Sequence, residues 1–362
     1  MKVKILGAGS IGNHMAHASR ALGWAVNLCD VDANALERTK TQIFPARYQT
    51  WDDGIRLFLM SEAPVGDHDL IIIGTPPDTH IKLAREMIHE KPKGILVEKP
   101  FCQPDLLGLE ELLKEADQAG IKFFVGYDHV LGDATNEFCK ILHGDDLGHI
   151  ETLDVEFREH WGGIFAAHPW LAGPADSYLG YSSRGGGASG EHSHAINLWQ
   201  HFALVLGAGR VVEVQASMSF ERDGIVEYDK LCFLNLKTEN GFCGRVVQDV
   251  VTEPSRKWAR VQGSNGYAEW HCGIKNGADR ILHGGSTGNL LEKYFEKTRP
   301  DDFIIELKHV QSVLKGQISS SDISVQRGAE SMLVIAAAHK SADLHRSVQI
   351  DYSCGFNIDA LK

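Results

Sequence analysis

The chain has 362 residues, of which 43% are hydrophobic and 23% charged, so it is long enough for two domains with a core in each. Its formal net charge of -12 and lack of a basic stripe exclude a nucleic-acid-binding surface, and no apolar run approaches the roughly 20 residues of a membrane span. Seven cysteines without a Cys-x-x-Cys pair favour free thiols, and the chain opens on a strand rather than a signal peptide, so we expect a cytoplasmic protein.

The first third of the sequence alternates short apolar runs with amphipathic stretches. The first run, Val3 to Leu6, is followed by glycines and then by a helical pattern with Ile11 and Met15 on one face. Further apolar runs are WAVNLCD, HDLIIIGTP, GILVEKP and IKFFVGYD. Such runs alternating with helices are typical of a parallel sheet covered on both faces. We therefore predict an α/β domain over residues 1–125.

From residue 126 onward the pattern changes to strands with a period of two. Asn240 and Asn265 are each followed by glycine and lie between strand-like runs. Asn-Gly is a strong hairpin signal, because both central residues of a type I′ turn need positive φ. Segments 302–316 and 324–344 are predicted helices that pack on this sheet or on the first domain. We predict an α+β domain over residues 126–362, with a large, mainly antiparallel open sheet.

Gly7, Gly9 and Gly12 form a G-x-G-x-x-G pattern between the first strand and the first helix. These positions need, in turn, a tight turn, close approach of the backbone to a pyrophosphate, and close packing of helix on sheet. The N–H groups at the start of the helix, around Ser10 and Ile11, favour the phosphate charge. The pattern therefore predicts a dinucleotide-binding Rossmann domain.

Asp30 ends the second predicted strand. A carboxylate there can accept hydrogen bonds from an adenosine ribose and would repel the 2′-phosphate of NADP, so we predict NAD as the cofactor. Two alternatives remain open: Asp30 is a solvated strand end, or Arg38 and Lys40 serve a phosphate and the cofactor is NADP. Glu98 and Lys99 end a later strand and are expected beside the nicotinamide, because carboxyl ends of strands line the ligand crevice.

With these features the chain resembles the Gfo/Idh/MocA oxidoreductases, the relatives of glucose-fructose oxidoreductase and inositol dehydrogenase. The resemblance covers essentially the whole chain. It rests on the segments GAGSIG and GTPPDTH, on the triplet Glu98-Lys99-Pro100, and on three glycines followed by a helix that bears His194.

The resemblance implies that Lys99 lies by the nicotinamide and the reacting hydroxyl, as the cation that polarises it or handles its proton, and that the lysine–proline bond is cis. It also implies that Thr75, Pro76 and His80 belong to the loop that covers the cofactor. Tyr127, Asp128 and His129 stand where the family often has an Asn-His-Arg-like run. Asp128 replaces the asparagine, and we include it among the substrate-binding candidates.

Many inositol-dehydrogenase-like members carry Asp-x-x-x-His with a second aspartate three residues later. Here His194 matches the histidine, whereas Gly190 and Asn197 stand at the aspartate positions. Glu191 is the nearest substitute, because three residues along a helix place it on the same side as His194. The alternative is that Glu191 is a helix-start carboxylate favoured by the helix dipole.

His192 and His194 point about 200° apart on a helix, so they are a poor chelate, and His201 is about two turns away. We predict no metal site. We expect His194 to be catalytic together with Lys99, and His192 to be a packed or capping residue.

The stretch before the glycines is rich in rings and hydrogen-bond donors that suit a sugar, although such residues also form interface centres. The substrate-binding candidates are Lys99, Asp128, Trp161, His168, Trp170, Tyr178, Arg184, Glu191 and His194.

The predicted function is an NAD(P)-dependent oxidoreductase that transfers hydride between nicotinamide and a secondary alcohol or ketone of a sugar, amino sugar, nucleotide sugar or cyclitol. Two alternatives are an enzyme that recycles bound NAD, as in redox-assisted glycoside cleavage or epimerisation, and a non-enzymatic dinucleotide-binding regulator. Retention of Lys99 and His194 speaks against the regulator. We expect a homodimer or homotetramer formed through the C-terminal sheet, with no nucleic-acid or membrane partner.

Overall fold

The computed structural model describes residues 1–166, 168, 170–285, 288 and 290–362, which fold into two compact units. The first unit comprises Met1–Cys102, Gly108–Asp128 and Arg299–Gly328, and the second comprises Gln103–Leu107, His129–Thr298 and Ala329–Lys362. Residues 299–328, which the sequence predicts in the second domain, therefore belong to the first unit. The reason is the packing of their helix, described below.

The first unit contains a six-stranded parallel sheet. Its strands are β1 (Lys2–Leu6), β2 (Ala25–Asp30), β3 (Ile55–Leu59), β4 (Leu70–Ile73), β5 (Gly94–Val97) and β6 (Lys122–Val125). They lie in the order β3-β2-β1-β4-β5-β6. The order changes direction between β1 and β4, where open α/β sheets bind ligands. The predicted Rossmann architecture is confirmed, although the sequence did not reveal β3, a short strand that is buried only at Ile55.

The second unit contains a nine-stranded sheet. Its strands are β7 (Ile150–Arg158), β8 (Val211–Asp223), β9 (Val226–Thr238), β10 (Cys243–Asp249), β11 (Arg256–Gly263), β12 (Gly266–Cys272), β13 (Asp279–Gly285), β14 (Leu290–Phe295) and β15 (Val348–Gln349). The order is β14-β13-β12-β11-β7-β10-β9-β8-β15. The β7–β10 pair is parallel and the other described pairs are antiparallel. This confirms the predicted large, mainly antiparallel sheet.

Hairpins form at both Asn-Gly pairs, between β9 and β10 and between β11 and β12. The turn type differs from the expectation, because neither Asn240 nor Asn265 has a positive φ. Gly241 has a φ of 81°. The first loop spans residues 239–242, so a single left-handed glycine is enough to close it.

The helices are α1 (Ser10–Ala21), α2 (Ala33–Arg38), α3 (Phe44–Tyr48), α4 (His80–Ile88), α5 (Leu109–Ala119), α6 (Asp133–His143), α7 (Trp161–Ala166), α8 (Gly187–Glu191), α9 (His194–Val205), α10 (Arg299–Leu314) and α11 (Val325–Leu344). In the first unit α10 packs on α1, where the rings of Phe303 and His14 stack at 4.8 Å between centroids. In the second unit α9 lies on β7, with the indole of Trp199 donating to the carbonyl oxygen of Leu153 at 2.9 Å. Within the described residues, no helix combines the length and apolarity needed to span a membrane.

Candidate active site

The glycine loop of the first unit joins β1 to α1. Gly7 has a φ of 100°, and a Cβ there would lie 2.8 Å from the carbonyl oxygen of Gly74. A Cβ on Gly12 would lie 1.9 Å from the carbonyl oxygen of Gly7, so the helix can approach this closely only without a side chain. Among the described residues, no atom lies within 4 Å of a Cβ position on Gly9. The open side of the loop thus fits a pyrophosphate that accepts hydrogen bonds from backbone N–H groups.

Asp30 braces this loop from the end of β2. Its carboxylate accepts hydrogen bonds from the backbone N–H groups of Ala8 at 2.7 Å and Asp32 at 2.9 Å. The side chains of Asn13 and Thr39 both donate to the carbonyl oxygen of Ala8. Sequence reasoning missed Asn13 and Thr39; a buried amide on the sheet-facing side of α1 was the available signal. The ribose contact of Asp30 stays a prediction, and bracing the loop is a second role.

Three basic residues, Arg38, Lys40 and Arg47, follow the glycine loop in the sequence, and one of them contacts it. Arg38 is half-buried at the end of α2, and Lys40 is exposed just beyond that helix. Arg47 of α3 donates from its guanidinium to the carbonyl and hydroxyl oxygens of Ser10, at 2.9 and 2.8 Å. No local sequence pattern connects residues 47 and 10, so this contact was not predicted. A cation therefore lies at the first residue of α1.

In the loop after β4, Thr75 is half-buried and Pro76 is exposed. The loop leads into His80, which is fully buried. The ring nitrogens of His80 face the carbonyl oxygens of Thr75 at 2.7 Å and Pro100 at 3.1 Å. Burial lowers the pKa of His80, although these carbonyls oppose the effect. The ring is thus enclosed between two backbone segments. His80 therefore connects the loop to the segment after Lys99, and its expected cofactor contact stays a prediction.

The Glu98-Lys99-Pro100 segment leaves the carboxyl end of β5, and its Lys99–Pro100 peptide is cis, as the resemblance implies. Glu98 is buried and Lys99 is half-buried. Burial, and then the nearby Asp128 carboxylate, raise the pKa of Glu98 to about 7, although Lys99 opposes this. A carboxyl group that exchanges its proton near neutral pH therefore stands next to the lysine in the chain.

We expect Glu98→Gln to change the pH dependence of stability. Because the pKa of Glu98 is about 7 in the folded chain and lower when unfolded, its stabilising contribution is complete at acid pH and is lost as pH rises through 7. In the cofactor-free protein, the variant should match wild type near pH 4, below the ordinary glutamate pKa of 4.5, and gain a few kcal/mol of unfolding free energy relative to it by pH 8.5. Denaturant unfolding measures this. An equal difference at both pH values would contradict the assignment, and exposed Glu86→Gln serves as the control.

His192 and His194 do not lie on one continuous helix. α8 ends at Glu191 and α9 begins at His194, with His192 and Ser193 between them. The amide of Gln248 donates to the carbonyl oxygen of His192 at 2.7 Å, so a contact from β10 occupies this carbonyl at the break. Glu191 and His194 therefore do not share a helix face. The continuous helix expected between Glu191 and His194 is thus interrupted, and the orienting role of Glu191 stays a prediction.

His194 packs against a second imidazole. The ring centroids of His194 and His129 are 4.6 Å apart with an interplanar angle of 80°, and a ring nitrogen of each lies within 4.8 Å of the other. Phe157 and Trp270 contact His129 edge to face, at 5.3 and 6.0 Å between centroids. His192, in contrast, is buried in the interior. His129 was not among the predicted site residues, although its place in the Asn-His-Arg-like run was a signal.

The two family aspartate positions do not supply a carboxylate to His194. A Cβ on Gly190 would lie 2.0 Å from the carbonyl oxygen of Gly185, so no side chain fits there. Asn197 donates its amide to the hydroxyl oxygen of Ser331 at 3.1 Å, inside the core. The rings of His129 and Phe157 both contact the His194 ring, with centroids 4.6 and 6.4 Å away.

Asp229 of β9 fixes the glycine-rich turn that precedes these histidines. It is fully buried and accepts hydrogen bonds from the backbone N–H of Ser189 at 2.7 Å and from the hydroxyl of Ser182 at 3.0 Å. A Cβ on Gly187 would lie 2.0 Å from its Oδ1. Burial raises the pKa of Asp229, although His339 and these hydrogen bonds oppose it. Sequence reasoning missed Asp229, because no local pattern connects it with the turn.

The expected sugar-binding residues make separate local contacts. Trp161 is buried in α7 against Tyr228, with ring centroids 5.6 Å apart, and its expected contact with substrate stays a prediction. The rings of His168 and Trp170 contact each other at 5.3 Å; both are half-buried. Residues 167 and 169 lie outside the described part of the chain.

Tyr178 and Arg184 begin and end two short 3₁₀ turns before the glycines, and both are half-buried. The Arg184 guanidinium lies over the Tyr181 ring, 5.6 Å from its centroid. Their expected contacts with substrate stay predictions.

A known family matches the first part of the sequence, and solved structures match the fold of nearly the whole chain. The family model of oxidoreductases with an NAD-binding Rossmann fold, GFO_IDH_MocA, matches residues 1–127. No curated protein matches the sequence.

Three solved structures share the fold over nearly the whole chain. Levoglucosan dehydrogenase in complex with NADH has a TM-score of 0.78 at 16% identity, covering 96% of this chain and 98% of that chain. GenD2 from gentamicin A biosynthesis, in complex with NAD, has 0.75 at 18%, covering 97% and 96%. The WlbA dehydrogenase from Bordetella pertussis, in complex with NADH and UDP-GlcNAcA, has 0.70 at 19%, covering 96% and 98%. Residues 1–127 thus match the Gfo/Idh/MocA oxidoreductase family, and the fold of nearly the whole chain is similar to that of these NAD-bound proteins.

Proposed function

We propose that the chain is an NAD-dependent dehydrogenase or reductase acting on a secondary alcohol or ketone of a carbohydrate-like substrate. The observation that carries the proposal is the Glu98-Lys99-Pro100 segment at the carboxyl end of β5, in the same unit as the glycine loop. Ligands of open α/β sheets bind outside the carboxyl ends of the strands. The similar structures support this substrate class. They include levoglucosan dehydrogenase, an enzyme of gentamicin A biosynthesis and a dehydrogenase in complex with UDP-GlcNAcA.

The first unit fits the cofactor. The open side at Gly9, the N–H groups at the start of α1 and the Arg47 cation beside Ser10 suit a pyrophosphate. Asp30 is assigned to the adenosine ribose, and Thr75 and Pro76 to the covering loop. When bound, NAD supplies the nicotinamide carbon that accepts hydride from the substrate alcohol or returns it to a ketone.

The protein's own part is to hold charge and move a proton. Lys99 is assigned to the substrate oxygen, where its ammonium stabilises negative charge as that oxygen loses its proton. His194 is assigned to accept the proton, because imidazole is the side chain most often used as a general base in catalysis. The contact between His194 and His129 restrains the accepting ring.

A panel of substrates tests the proposal. Sugars, amino sugars, nucleotide sugars and cyclitols are each incubated with the purified protein and NAD, and the NADH absorbance band is followed. One class is expected to give NADH in proportion to the oxidised product. Product without NADH release would indicate recycled NAD, and bound NAD with no reaction across the panel would contradict the substrate class.

We expect Asp30→Asn to raise the NADP-to-NAD affinity ratio by tenfold or more, because it removes the charge that repels a 2′-phosphate and weakens a charge-assisted hydrogen bond to the ribose, which contributes about 1.5–3 kcal/mol. Asparagine still offers an oxygen to the N–H of Ala8, which limits damage to the loop. Fluorescence or calorimetric titration with both dinucleotides measures the ratio. Asp32→Asn is the control, since it removes a charge two residues away yet keeps a good cap for α2. An unchanged ratio in Asp30→Asn would show that this carboxylate does not contact the ribose.

A further inference from the structure

Three carboxyl side chains are buried together in the first unit. Glu98 is 6% exposed, Asp128 is 8% exposed and Glu306 is 1% exposed. Glu98 directly follows β5, and Asp128 lies three residues beyond the end of β6. Because Val97 pairs with Val125, the two strand ends lie side by side. A buried carboxylate is costly unless it is compensated, so this cluster calls for an explanation.

The Glu98 carboxyl group lies over the backbone of the neighbouring strand end. A Cβ on Gly126 would be 3.0 Å from the carboxyl carbon and from both oxygens of Glu98. Gly126 is two residues before Asp128, so the absence of a side chain at 126 allows Glu98 to reach toward the second carboxyl group. The electrostatic interaction with Asp128 opposes ionisation of Glu98.

Glu306 comes to the cluster from α10, which packs on α1 through Phe303. Its Oε1 is buried and has no hydrogen-bond partner among the described residues. It interacts electrostatically with Glu98 and Asp128, and with Asp302 on its own helix. An ionised Glu306 would therefore face three other carboxyl groups without a donor at Oε1 among the described residues. This side chain is unsatisfied as a carboxylate and acceptable as a neutral acid.

Two cations near the cluster act on Glu98. Lys99 and Arg299 favour the ionised form of Glu98, and even so burial and Asp128 raise its pKa to about 7. Burial, followed by Glu98 and Asp128, raises the pKa of Glu306 well above its ordinary value. Glu98 and Glu306 therefore hold their protons more tightly than ordinary glutamates, and of these two Glu98 loses its proton more readily.

We propose that the carboxyl cluster of Glu98, Asp128 and Glu306 distinguishes the oxidised from the reduced cofactor by releasing a proton when the oxidised form binds. The inference rests on the proposed function, which assigns the nicotinamide to the carboxyl end of β5. The oxidised ring carries a positive charge and favours an ionised carboxylate nearby, whereas the reduced ring is neutral. Protonated protein and NAD⁺ thus give the complex and one free proton, and NADH binds without proton release.

The consequence is a cofactor preference that depends on pH. Below neutral pH Glu98 is protonated, and binding of the oxidised form must work against loss of that proton. Above neutral pH the carboxylate is already ionised and balances the positive ring as well as the Lys99 ammonium. The oxidised form should therefore bind progressively more tightly as pH rises, while binding of the reduced form should change little.

The test measures Kd for NAD⁺ and NADH on the wild-type protein between pH 6 and pH 8. Both forms share the adenosine and the pyrophosphate. The ratio of their Kd values therefore removes pH effects that act equally on both, and keeps those near the nicotinamide. The Kd for NAD⁺ is expected to fall about tenfold relative to the Kd for NADH as pH rises over this range. Calorimetry near pH 7 in two buffers of different ionisation enthalpy should show release of a fraction of a proton with NAD⁺ and none with NADH.

Isosteric variants assign the proton. Glu98→Gln should move the inflection of the ratio to higher pH, because the remaining acid, Glu306, releases its proton less readily. The Glu98→Gln/Glu306→Gln double variant should give a flat ratio. Both substitutions resemble the neutral acids, so the fold is expected to persist and is checked by thermal unfolding. Glu86→Gln, on the exposed face of α4, should retain the wild-type curve.

Two results would overturn the inference: equal pH dependence of both dissociation constants in wild type, or a pH-dependent ratio that persists in the double variant. Failure of the proposed function has a different signature. A chain that binds neither form would overturn both proposals. A chain that shows the pH-dependent ratio but oxidises no carbohydrate-like substrate would support the inference and contradict the proposed substrate class.

Discussion

Replacing Lys99 with methionine is expected to lower kcat by about 10²- to 10³-fold while leaving dinucleotide affinity within a few fold. The physical reason is that the ammonium stabilises charge that develops on the substrate oxygen only as the reaction proceeds. Methionine keeps most of the aliphatic length and removes that charge. The half-buried position after β5 should strengthen the electrostatic effect relative to a fully hydrated lysine.

The measurement is steady-state kinetics with the substrate found in the panel, together with direct titration of NAD. Lys122→Met is the matched control, because Lys122 is exposed at the opposite, amino-terminal end of β6. It should leave both quantities near their wild-type values. If Lys99→Met lowers cofactor affinity and turnover by the same factor, Lys99 is a structural or phosphate-binding lysine instead.

His194→Ala is expected to lower kcat/KM by about 10²- to 10⁴-fold with NAD binding intact, since that is the usual contribution of positioned general-base catalysis. The alcohol must lose a proton, and His194 is the candidate acceptor that is half-buried and held against another imidazole. Wild type should show an inflection of kcat/KM in the neutral range, and the variant should lose it. The pH dependence of kcat/KM for both proteins on one substrate is the measurement.

Two neighbouring variants sharpen the test of His194. His192→Ala removes a buried ring, so it should lower thermal stability and reduce turnover far less than His194→Ala does. Glu191→Gln should also have the smaller effect, because Glu191 and His194 lie on separate helices. If wild type and His194→Ala share the same inflection and differ little in height, another group carries the proton. Lys99 would then be the first candidate.

The sequence by itself determined the architecture of the first unit and the place of its chemistry. The apolar runs predicted β1, β2 and β4 to β6, because a strand buried on both faces must be almost continuously apolar. The glycine loop was recognisable because its three glycines meet steric requirements within six residues of one another. Glu98 and Lys99 were placed at a strand end by the same local logic.

Only the tertiary structure decided how the second unit presents its histidines and which carboxyl groups meet. The break between α8 and α9 accompanies a contact of Gln248 with His192, and the preceding turn is held by Asp229, which lies 40 residues from Ser189 in the sequence. Glu306 reaches Glu98 through a helix that the sequence pattern assigned to the other domain. Helical and strand periodicities record only which face of an element is apolar. They cannot specify hydrogen bonds and charge interactions between residues far apart in the chain, and those contacts determine which carboxyl group retains its proton and which imidazole is restrained.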